Sequence, residues 1–588
     1  MVRDRAARYG SREVFRYINK NKSGYSNLTW NELITETNKV SKALISFGFE
    51  YDTKIGIFSD NRIEWSISDI GVMAVRGVVV PIYATSSKQQ VKYLVDETNM
   101  KLLFVGGKDQ LDKAIWLLDN CESLEKIVVF ESGICPNNDA RCSDWANFCK
   151  LGNNDQYNNR LDELMQEASP EDLATIIYTS GTTGEPKGAM LGHDNFMFTF
   201  AIHDKRLDVC DTDVSMCFLP LSHVYERTWS YYLLYCGAIN FFLENPREVI
   251  NALPIAKPTL MCTVPRFFEK TYDGIQLEVS KWAGYKKTIF NWAVAVGHKY
   301  IVYECKAQKA PFFLNLQRSI AEKLVYKKLR QVFGGNIRVI PCAGAAIRPD
   351  LLKFFHAVGL FINYGYGTTE TTATVSCFKS DVYEFDSCGT VMPDVNVKIS
   401  EEGEILIKGN TVFRGYYLKP EETAKSIVDG WYKTGDKGHI SEEGNLVMTD
   451  RIKDLFKTSV GKYISPQKLE LLIGQDQFVE QIVVIGDNRK YVTALIVPSF
   501  ESFKTLASMY GLDANDHEKL ISNNDIKAFM KKRVDEMQEE LSSYEKVVKF
   551  TLLTEPFSIE NKALTNTLKI RRAIIMDMHK ERIEAMYN

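Results

Sequence analysis

Tyr178-Thr-Ser-Gly-Thr-Thr-Gly-Glu-Pro-Lys-Gly188 follows directly on the strand-like run Ala174-Thr-Ile-Ile-Tyr178. Glycines at 181, 184 and 188 let the backbone bend until its N–H groups converge. The hydroxyls of Thr179, Ser180, Thr182 and Thr183 add donors, and Lys187 supplies a point charge. A loop so equipped suits a polyphosphate. It is not a Walker loop, because no GK[ST] follows a four-residue gap. The plainer reading, a flexible Ser/Thr/Gly turn, leaves the strand that feeds it unexplained.

On the N-terminal side of this loop, short β-branched runs alternate with helical patterns. Lys54–Phe58, Val78–Ile82, Leu102–Val105 and Ile127–Phe130 read as strands, and Ile63–Val75 as a helix. The alternation predicts βαβ units, hence largely parallel sheets covered by helices. After about Asp386 the texture changes. Gly403–Gly409 and Gly438–Val447 read as short strands joined by Gly turns. From Arg451 a mixed segment follows: a helix opening at Pro466, strands Ile482–Ile485 and Val492–Val497 around the turn at Asp487–Lys490, then a charged helix from Asp525 to Glu540. The expected class is α/β, with a large domain over 1–450, including a β-rich subdomain at about 386–450, and a small α+β domain over 451–588.

The chain of 588 residues is too long for one core. Its net charge of −3 gives no general attraction to nucleic acid or anionic lipid, so phosphate recognition must be local. Twelve cysteines form no CxxC pair, and no apolar leader opens the chain, which fits free thiols in a reducing cytoplasm. The most apolar stretch, Gly71–Ile82, is broken by Arg76 and too short to cross a bilayer. The expected location is cytoplasmic, with a peripheral contact at the inner face of the membrane left open.

The loop at 178–188 closely resembles the phosphate loop of the adenylate-forming superfamily: acyl-CoA synthetases, peptide-synthetase adenylation domains and beetle luciferases. The resemblance continues in order along the chain. Asn363-Tyr-Gly-Tyr-Gly-Thr-Thr-Glu370 resembles the adenine and magnesium motif, and Trp431-Tyr-Lys-Thr-Gly-Asp436 the ribose motif. Arg451-Ile-Lys-Asp454 resembles the hinge, and Leu564–Arg571 the catalytic-lysine segment. Asn566 departs from the Pro usual in long-chain members, which puts the local turn in doubt but not the lysine.

The resemblance implies ATP, Mg²⁺ and coenzyme A, and a residue set. Ser180, Gly181, Thr182, Thr183 and Gly184 would join Thr179 and Lys187 around the phosphates. Tyr366 would stack on adenine, with Gly344, Ala345 and Ala346 on the other side of the base. Gly367 and Thr368 lead to Thr369, which would touch the α-phosphate, and Glu370 would hold Mg²⁺ with help from Thr179. Asp436 would accept from the ribose hydroxyls, and Arg451 would grip the same sugar. Lys569, rather than Lys562, would neutralise charge at the α-phosphate; without the resemblance, a solvated basic helix start beside Arg571 and Arg572 is the favoured reading. His223, in Leu219–Trp229, would orient the carboxylate or move aside for CoA, and Trp229 would line or gate the acyl site unless it is simply packed. The small domain would be mobile, pivoting at Lys453, so that Lys457 and Gly461 reach the site and leave room for pantetheine.

Pro258–Lys270 and the helical stretch beyond it resemble the long-chain branch of acyl-CoA synthetases. In that stretch Trp282, Tyr285, Ile289, Trp292, Val296 and Tyr300 share one helical face. Core packing is the first expectation for it, a greasy tunnel or a membrane contact the others. Lys323, Lys327, Lys328 and Arg330 suit a solvated face, or phosphates of CoA or lipid. The implied activity is a long-chain fatty acid:CoA ligase acting through an acyl-adenylate on small-molecule substrates, with no nucleic acid. A ligase serving a carrier protein and a non-catalytic lipid-binding scaffold on the same fold are the alternatives.

Overall fold

The computed structural model describes all residues except 19–23, 137–138, 180–184, 381, 453–454, 460–461 and 566–567. The chain forms two compact units. The first comprises Met1–Lys398, Leu406–Lys433 and Ile440–Val447; the second comprises Ile399–Ile405, Thr434–His439 and Met448–Asn588.

The first unit is built on a seven-stranded sheet. Its spatial order is Cys142–Asp144, Lys126–Val129, Leu102–Val105, Lys54–Phe58, Val78–Ile82, Leu173–Thr179 and Lys187–Gly192. All neighbours run parallel except the last pair, which is antiparallel. The strands read as continuous apolar runs because helices cover both faces. Alternate side chains confirm it: Ile55, Ile57, Val79, Leu102, Phe104 and Val128 enter one core, while Phe58, Val78, Val80, Leu103, Val105 and Ile127 enter the other. A second sheet orders Val214–Cys217, Ile239–Phe242, Glu13–Ile18 and Tyr25–Thr29. A third orders Ile340–Cys342, Ile362–Tyr366, Ser376–Cys377 and Thr390–Val391.

The helix Val224–Cys236 is pinned from its core side. Arg227 is fully buried and donates to both carboxylate oxygens of Asp69, at 2.5 and 2.9 Å, on the helix Ile63–Ala74. It also donates to Thr175 Oγ1 (2.6 Å) on the strand Leu173–Thr179, and Thr175 in turn donates to the Val79 carbonyl (2.6 Å). Tyr231 OH closes the network on Asp69, and the Arg227 guanidinium lies 5.5 Å from the Trp65 ring. Every polar atom brought inside by Asp69 is thereby met by a donor.

The helix Gly284–Glu304 departs from the sequence expectation. Of the stripe from Trp282 to Tyr300, only Val296 is buried, and Tyr285 is 66% exposed. The buried face is Phe290, Ala293, Val296, Gly297 and Ile301. The reason is close approach: a Cβ at position 297 would stand 2.2 Å from the Ala357 carbonyl oxygen. The small residues, not the aromatic ones, therefore set the packed face. The core reading of the stripe is corrected accordingly.

In the second unit, Val479–Ile485, Val492–Pro498 and Val547–Leu552 form a three-stranded sheet, with the first pair antiparallel and the second parallel. Asn488, in the turn between the first two, takes φ 55°. The helices Pro466–Ile473 and Asn524–Met537 bury Leu469, Ile473, Ile526, Met530 and Val534 in the core on the sheet. The fold class is α/β, with mixed sheets and helices. Among the described residues no helix is long and apolar enough to cross a membrane.

Arg227→Met alone strands the buried Asp69 charge and should cost about 3–5 kcal/mol, whereas Arg227→Met with Asp69→Leu should recover most of that loss. Thermal melts of the two single variants and the double variant test this. A double variant that melts below both singles would mean the two residues do not form a coupled pair.

Candidate functional site

The nucleotide-motif residues of the first unit emerge at the ends of parallel strands. Open α/β sheets bind ligands outside such carboxyl ends. Thr179 ends the strand Leu173–Thr179 and pairs with Lys187, which opens the returning strand. Ser180, Gly181, Thr182, Thr183 and Gly184 lie outside the described residues. Lys187 Nζ is paired with the Glu422 carboxylate and sits 5.2 Å from the Tyr416 ring. The Lys187 hydrogen bond, with Lys425 beside it, holds the Glu422 carboxyl down at about 2.

Tyr366 ends the strand Ile362–Tyr366, which runs parallel to Ile340–Cys342. The loop leaving the latter strand exposes Gly344, Ala345 and Ala346, with Gly344 at φ 91°. Tyr364 OH donates to the Ala345 carbonyl (3.1 Å), so the loop is tied to the strand that carries Tyr366. Tyr366 itself is buried and lines a small cavity.

Beyond Tyr366 the chain makes a forced turn. A Cβ at position 367 would stand 1.6 Å from the Ala373 carbonyl oxygen, so only glycine fits. Thr368 caps the 3₁₀ turn Thr369–Thr371, its N–H donating to Thr371 Oγ1 (2.9 Å). Thr372 and Ala373 then take φ of 50° and 82°, unusual for residues bearing a Cβ, and Thr372 Oγ1 is anchored on the Thr411 carbonyl at 2.7 Å. The strained turn presents Glu370. Its Oε1 accepts from Tyr416 OH (2.8 Å), and its main-chain carbonyl accepts from Phe413 N–H (2.8 Å). Burial and the Glu370 charge push the Tyr416 hydroxyl up, so it stays a donor. Glu370 Oε2 has no hydrogen-bond donor among the described residues, which leaves one carboxylate oxygen for a hard cation.

His223 is the N-cap of the helix Val224–Cys236, and its Nδ1 accepts from Tyr225 N–H at 3.1 Å. An accepting Nδ1 makes Nε2 the protonated nitrogen of a neutral ring. One turn on, Glu226 is wholly buried, its Oε2 accepting from Leu219 N–H (3.3 Å), and burial pushes its carboxyl up to about 8. Burial therefore favours its neutral form. Trp229 is buried and donates from Nε1 to Ser215 Oγ (2.9 Å). It lines a cavity of about 30 Å³ with His203, Thr228, Ala343, Gly365 and Tyr366. That is room for about one water molecule, not an acyl chain. His203 Nδ1 and Thr228 Oγ1 have no partner among the described residues, and burial lowers the His203 ring to about 4.

In the second unit Asp436 and Arg451 come together. Asp436 is buried, and Arg451 Nε lies 3.2 Å from its Oδ1. The carbonyl of Gly435, at φ 72°, accepts from Ile452 N–H at 2.8 Å, which ties the backbone beside Asp436 to that beside Arg451. Lys457 is exposed on the short strand Phe456–Lys457, 5.5 Å from the Tyr463 ring. Lys569 is exposed and tied to Thr565 by two bonds, Thr565 N–H to the Lys569 carbonyl (2.8 Å) and Lys569 N–H to Thr565 Oγ1 (3.0 Å). Lys453 and Gly461 lie outside the described residues.

Three functional neighbours escaped the sequence reading. Tyr416 is 46 residues from Glu370, and Asp69 is 158 from Arg227, so neither pairing leaves a local pattern. Glu226 sits between two residues that were singled out, and its helical position facing the core was the available signal.

Residues 2–417 match the AMP-binding enzyme family, and residues 453–588 match the AMP-binding enzyme C-terminal domain. A protein of Mycobacterium bovis named long-chain-fatty-acid–CoA ligase FadD15 is 30% identical over 96% of this chain and 93% of its own length. Human long-chain-fatty-acid–CoA ligase 1 is also 30% identical, over 96% of this chain and 83% of its own. In fold, the chain is similar to the anthranilate CoA ligase AuaEII solved with anthranoyl-AMP, with TM-score 0.72, 18% identity, and 99% and 97% of the two chains covered. It is also similar to the A domain of a carboxylic acid reductase from Segniliparus rugosus solved with AMP, with TM-score 0.75, 21% identity, and 100% and 93% covered. The two matched segments span most of the chain and contain the phosphate loop, the adenine motif and the lysine segment, while the ribose motif and Arg451 lie in the stretch between them: the chain belongs to the AMP-binding enzyme family.

Proposed function

We propose that this chain joins a long-chain fatty acid to coenzyme A at the expense of ATP, releasing AMP and pyrophosphate. The observation that carries the reading is the 30% identity, over 96% of the chain, to proteins named long-chain-fatty-acid–CoA ligase. In the first step a carboxylate oxygen attacks the α-phosphorus and the bond to pyrophosphate breaks. In the second the CoA sulfur attacks the acyl carbonyl and AMP leaves, its phosphate carrying the electron pair.

The residues divide this work by chemistry. Thr179, the hydroxyls that follow it and Lys187 face the polyphosphate; for Lys187 this means exchanging Glu422 for phosphate. Tyr366 and the Gly344–Ala346 loop flank the base. Asp436 accepts from the ribose hydroxyls while Arg451 fixes its carboxylate at 3.2 Å. One protein carboxylate, hydroxyls, phosphate oxygens and water form the donor set that Mg²⁺ favours, and Glu370 Oε2 is the carboxylate oxygen in place for it. Mg²⁺ bound there would disperse phosphate charge as pyrophosphate departs. Tyr416 is a positioning residue for that carboxylate. His223, donating from Nε2, orients the acid's carboxylate. The cavity beside Trp229, at about 30 Å³, is too small for a long acid until that indole or its neighbours shift. Lys569 supplies the ammonium that meets charge on the α-phosphate in the first step only.

Glu370→Gln keeps the oxygen that accepts from Tyr416 but loses the charge. It should slow acyl-adenylate formation by roughly 10²–10³-fold and raise the Mg²⁺ requirement, with Tyr416→Phe losing roughly tenfold. A Glu370→Gln enzyme with unchanged rate and Mg²⁺ dependence would take Glu370 out of the metal site.

The two half-reactions, assayed separately with palmitate, test the function itself. The parent should form palmitoyl-CoA and AMP in equal amounts. Lys569→Ala should slow adenylation by on the order of 10²-fold, yet convert pre-made palmitoyl-adenylate and CoA at nearly the parent rate. Release of ADP, or an acid-dependent AMP release that never yields a CoA thioester, would refute the reading.

A further inference from the structure

A basic, apolar-striped helical segment lies outside all of the site machinery. Residues 281–330 hold eleven Lys and Arg against two acids, in a chain whose net charge is −3. Both acids are already engaged, Glu304 with Arg318 and Glu322 with Arg330. Lys306, Lys309, Lys323, Lys327 and Lys328 are exposed. The local excess of positive charge is therefore presented to solvent rather than neutralised within the fold.

Its apolar side chains are presented as well. The helix Phe312–Ala321 continues through a π-helical turn, Glu322–Tyr326, into Lys327–Arg330. Leu314, Ala321, Val325, Tyr326 and Leu329 face inward, and Tyr326 OH anchors the segment on the Ala293 carbonyl (2.6 Å). The outer face carries Phe312 (76% exposed), Phe313 (77%), Leu316 (51%), Ile320 (44%) and Leu324 (49%). Four of these recur every fourth residue, so they form one row along the helix. None is needed for the segment's own packing, and a row of large apolar groups left in water marks a contact surface.

We propose that the segment 312–330 docks this protein on an anionic lipid bilayer, with Phe312, Phe313, Leu316, Ile320 and Leu324 entering the headgroup–acyl boundary. Lys309, Lys323, Lys327 and Lys328 meet lipid phosphates. Charge selects this occupant over a second copy of the chain, because a two-fold contact would press two strongly basic faces together. An amphipathic helix with a basic flank is the form of surface that binds such membranes. The overall charge of the chain does not oppose it, since screening confines the interaction to groups within about 10 Å of the lipid. The inference stands apart from the proposed reaction and is tested without it.

The full chain is sedimented with vesicles of phosphatidylcholine alone and with vesicles containing roughly one-third phosphatidylglycerol. The expected result is binding at least about tenfold tighter to the anionic vesicles, weakening as salt is raised. Phe312→Ser with Phe313→Ser, and separately Lys323→Gln with Lys327→Gln and Lys328→Gln, should each reduce that binding about tenfold or more with the melting temperature unchanged. Absent or equal binding to the two vesicle types would overturn the proposal, as would variants that bind like the parent. A parent that is dimeric in solution, ignores vesicles and becomes monomeric on the Phe substitutions would make the face a protein interface instead, and the proposal wrong.

Discussion

The guanidinium of Arg227 and the carboxylate of Asp69 meet where no water reaches, and the geometry of the first unit's site follows from that contact. Two charges removed from water are tolerated only when each polar atom finds a partner. Here the partners come from four elements: Asp69 from one helix, Arg227 and Tyr231 from another, Thr175 from a strand, and the Val79 carbonyl from the next strand. The helix bearing Arg227 is capped by His223 and carries Trp229, while the strand bearing Thr175 ends at Thr179. A single buried ion pair thus fixes the helix of the carboxylate-orienting candidate against the strand that opens the phosphate loop.

A second constraint is paid in backbone strain. Glycine at 367 and positive φ at Thr372 and Ala373 fold a seven-residue turn tightly enough to present Glu370 beside Tyr416. Such conformations persist only where the surroundings over-determine them, and here Thr411, Phe413 and Tyr416 all bond to the turn. The carboxylate is consequently held by one oxygen, while the other meets no donor among the described residues. A rigid, half-satisfied anion is what a hard cation shared with phosphates requires.

How much of this was legible in the sequence depended on range. Strands buried on both faces wrote themselves as unbroken runs such as Val78–Ile82, and glycines at turns marked the changes of direction, so the α/β class could be read directly. Residues within one motif, from Asn363 to Glu370 or from Trp431 to Asp436, were also visible, because a tight turn needs its residues in a row. Pairings across distant segments were not. Asp69 and Arg227 each look like an ordinary surface charge until the fold brings them together, and Tyr416 stands outside any motif with Glu370. The helix 284–304 shows a different limit: periodicity found a face but not the packed one, which the small residues Ala293 and Gly297 determine by how closely a neighbour can approach. The same neighbourhood of helices, read for charge and exposure, supplies the lipid-facing surface proposed above.

The central claim is that an acid and ATP react to an adenylate before coenzyme A takes part. Its most direct measurement is exchange of labelled pyrophosphate into ATP, with palmitate present and CoA withheld. A reversible first step predicts acid-dependent exchange that vanishes without palmitate and needs Mg²⁺. Absence of exchange until CoA is added would contradict a free-standing adenylation step, and with it the assignment of Glu370 and the phosphate loop to that step.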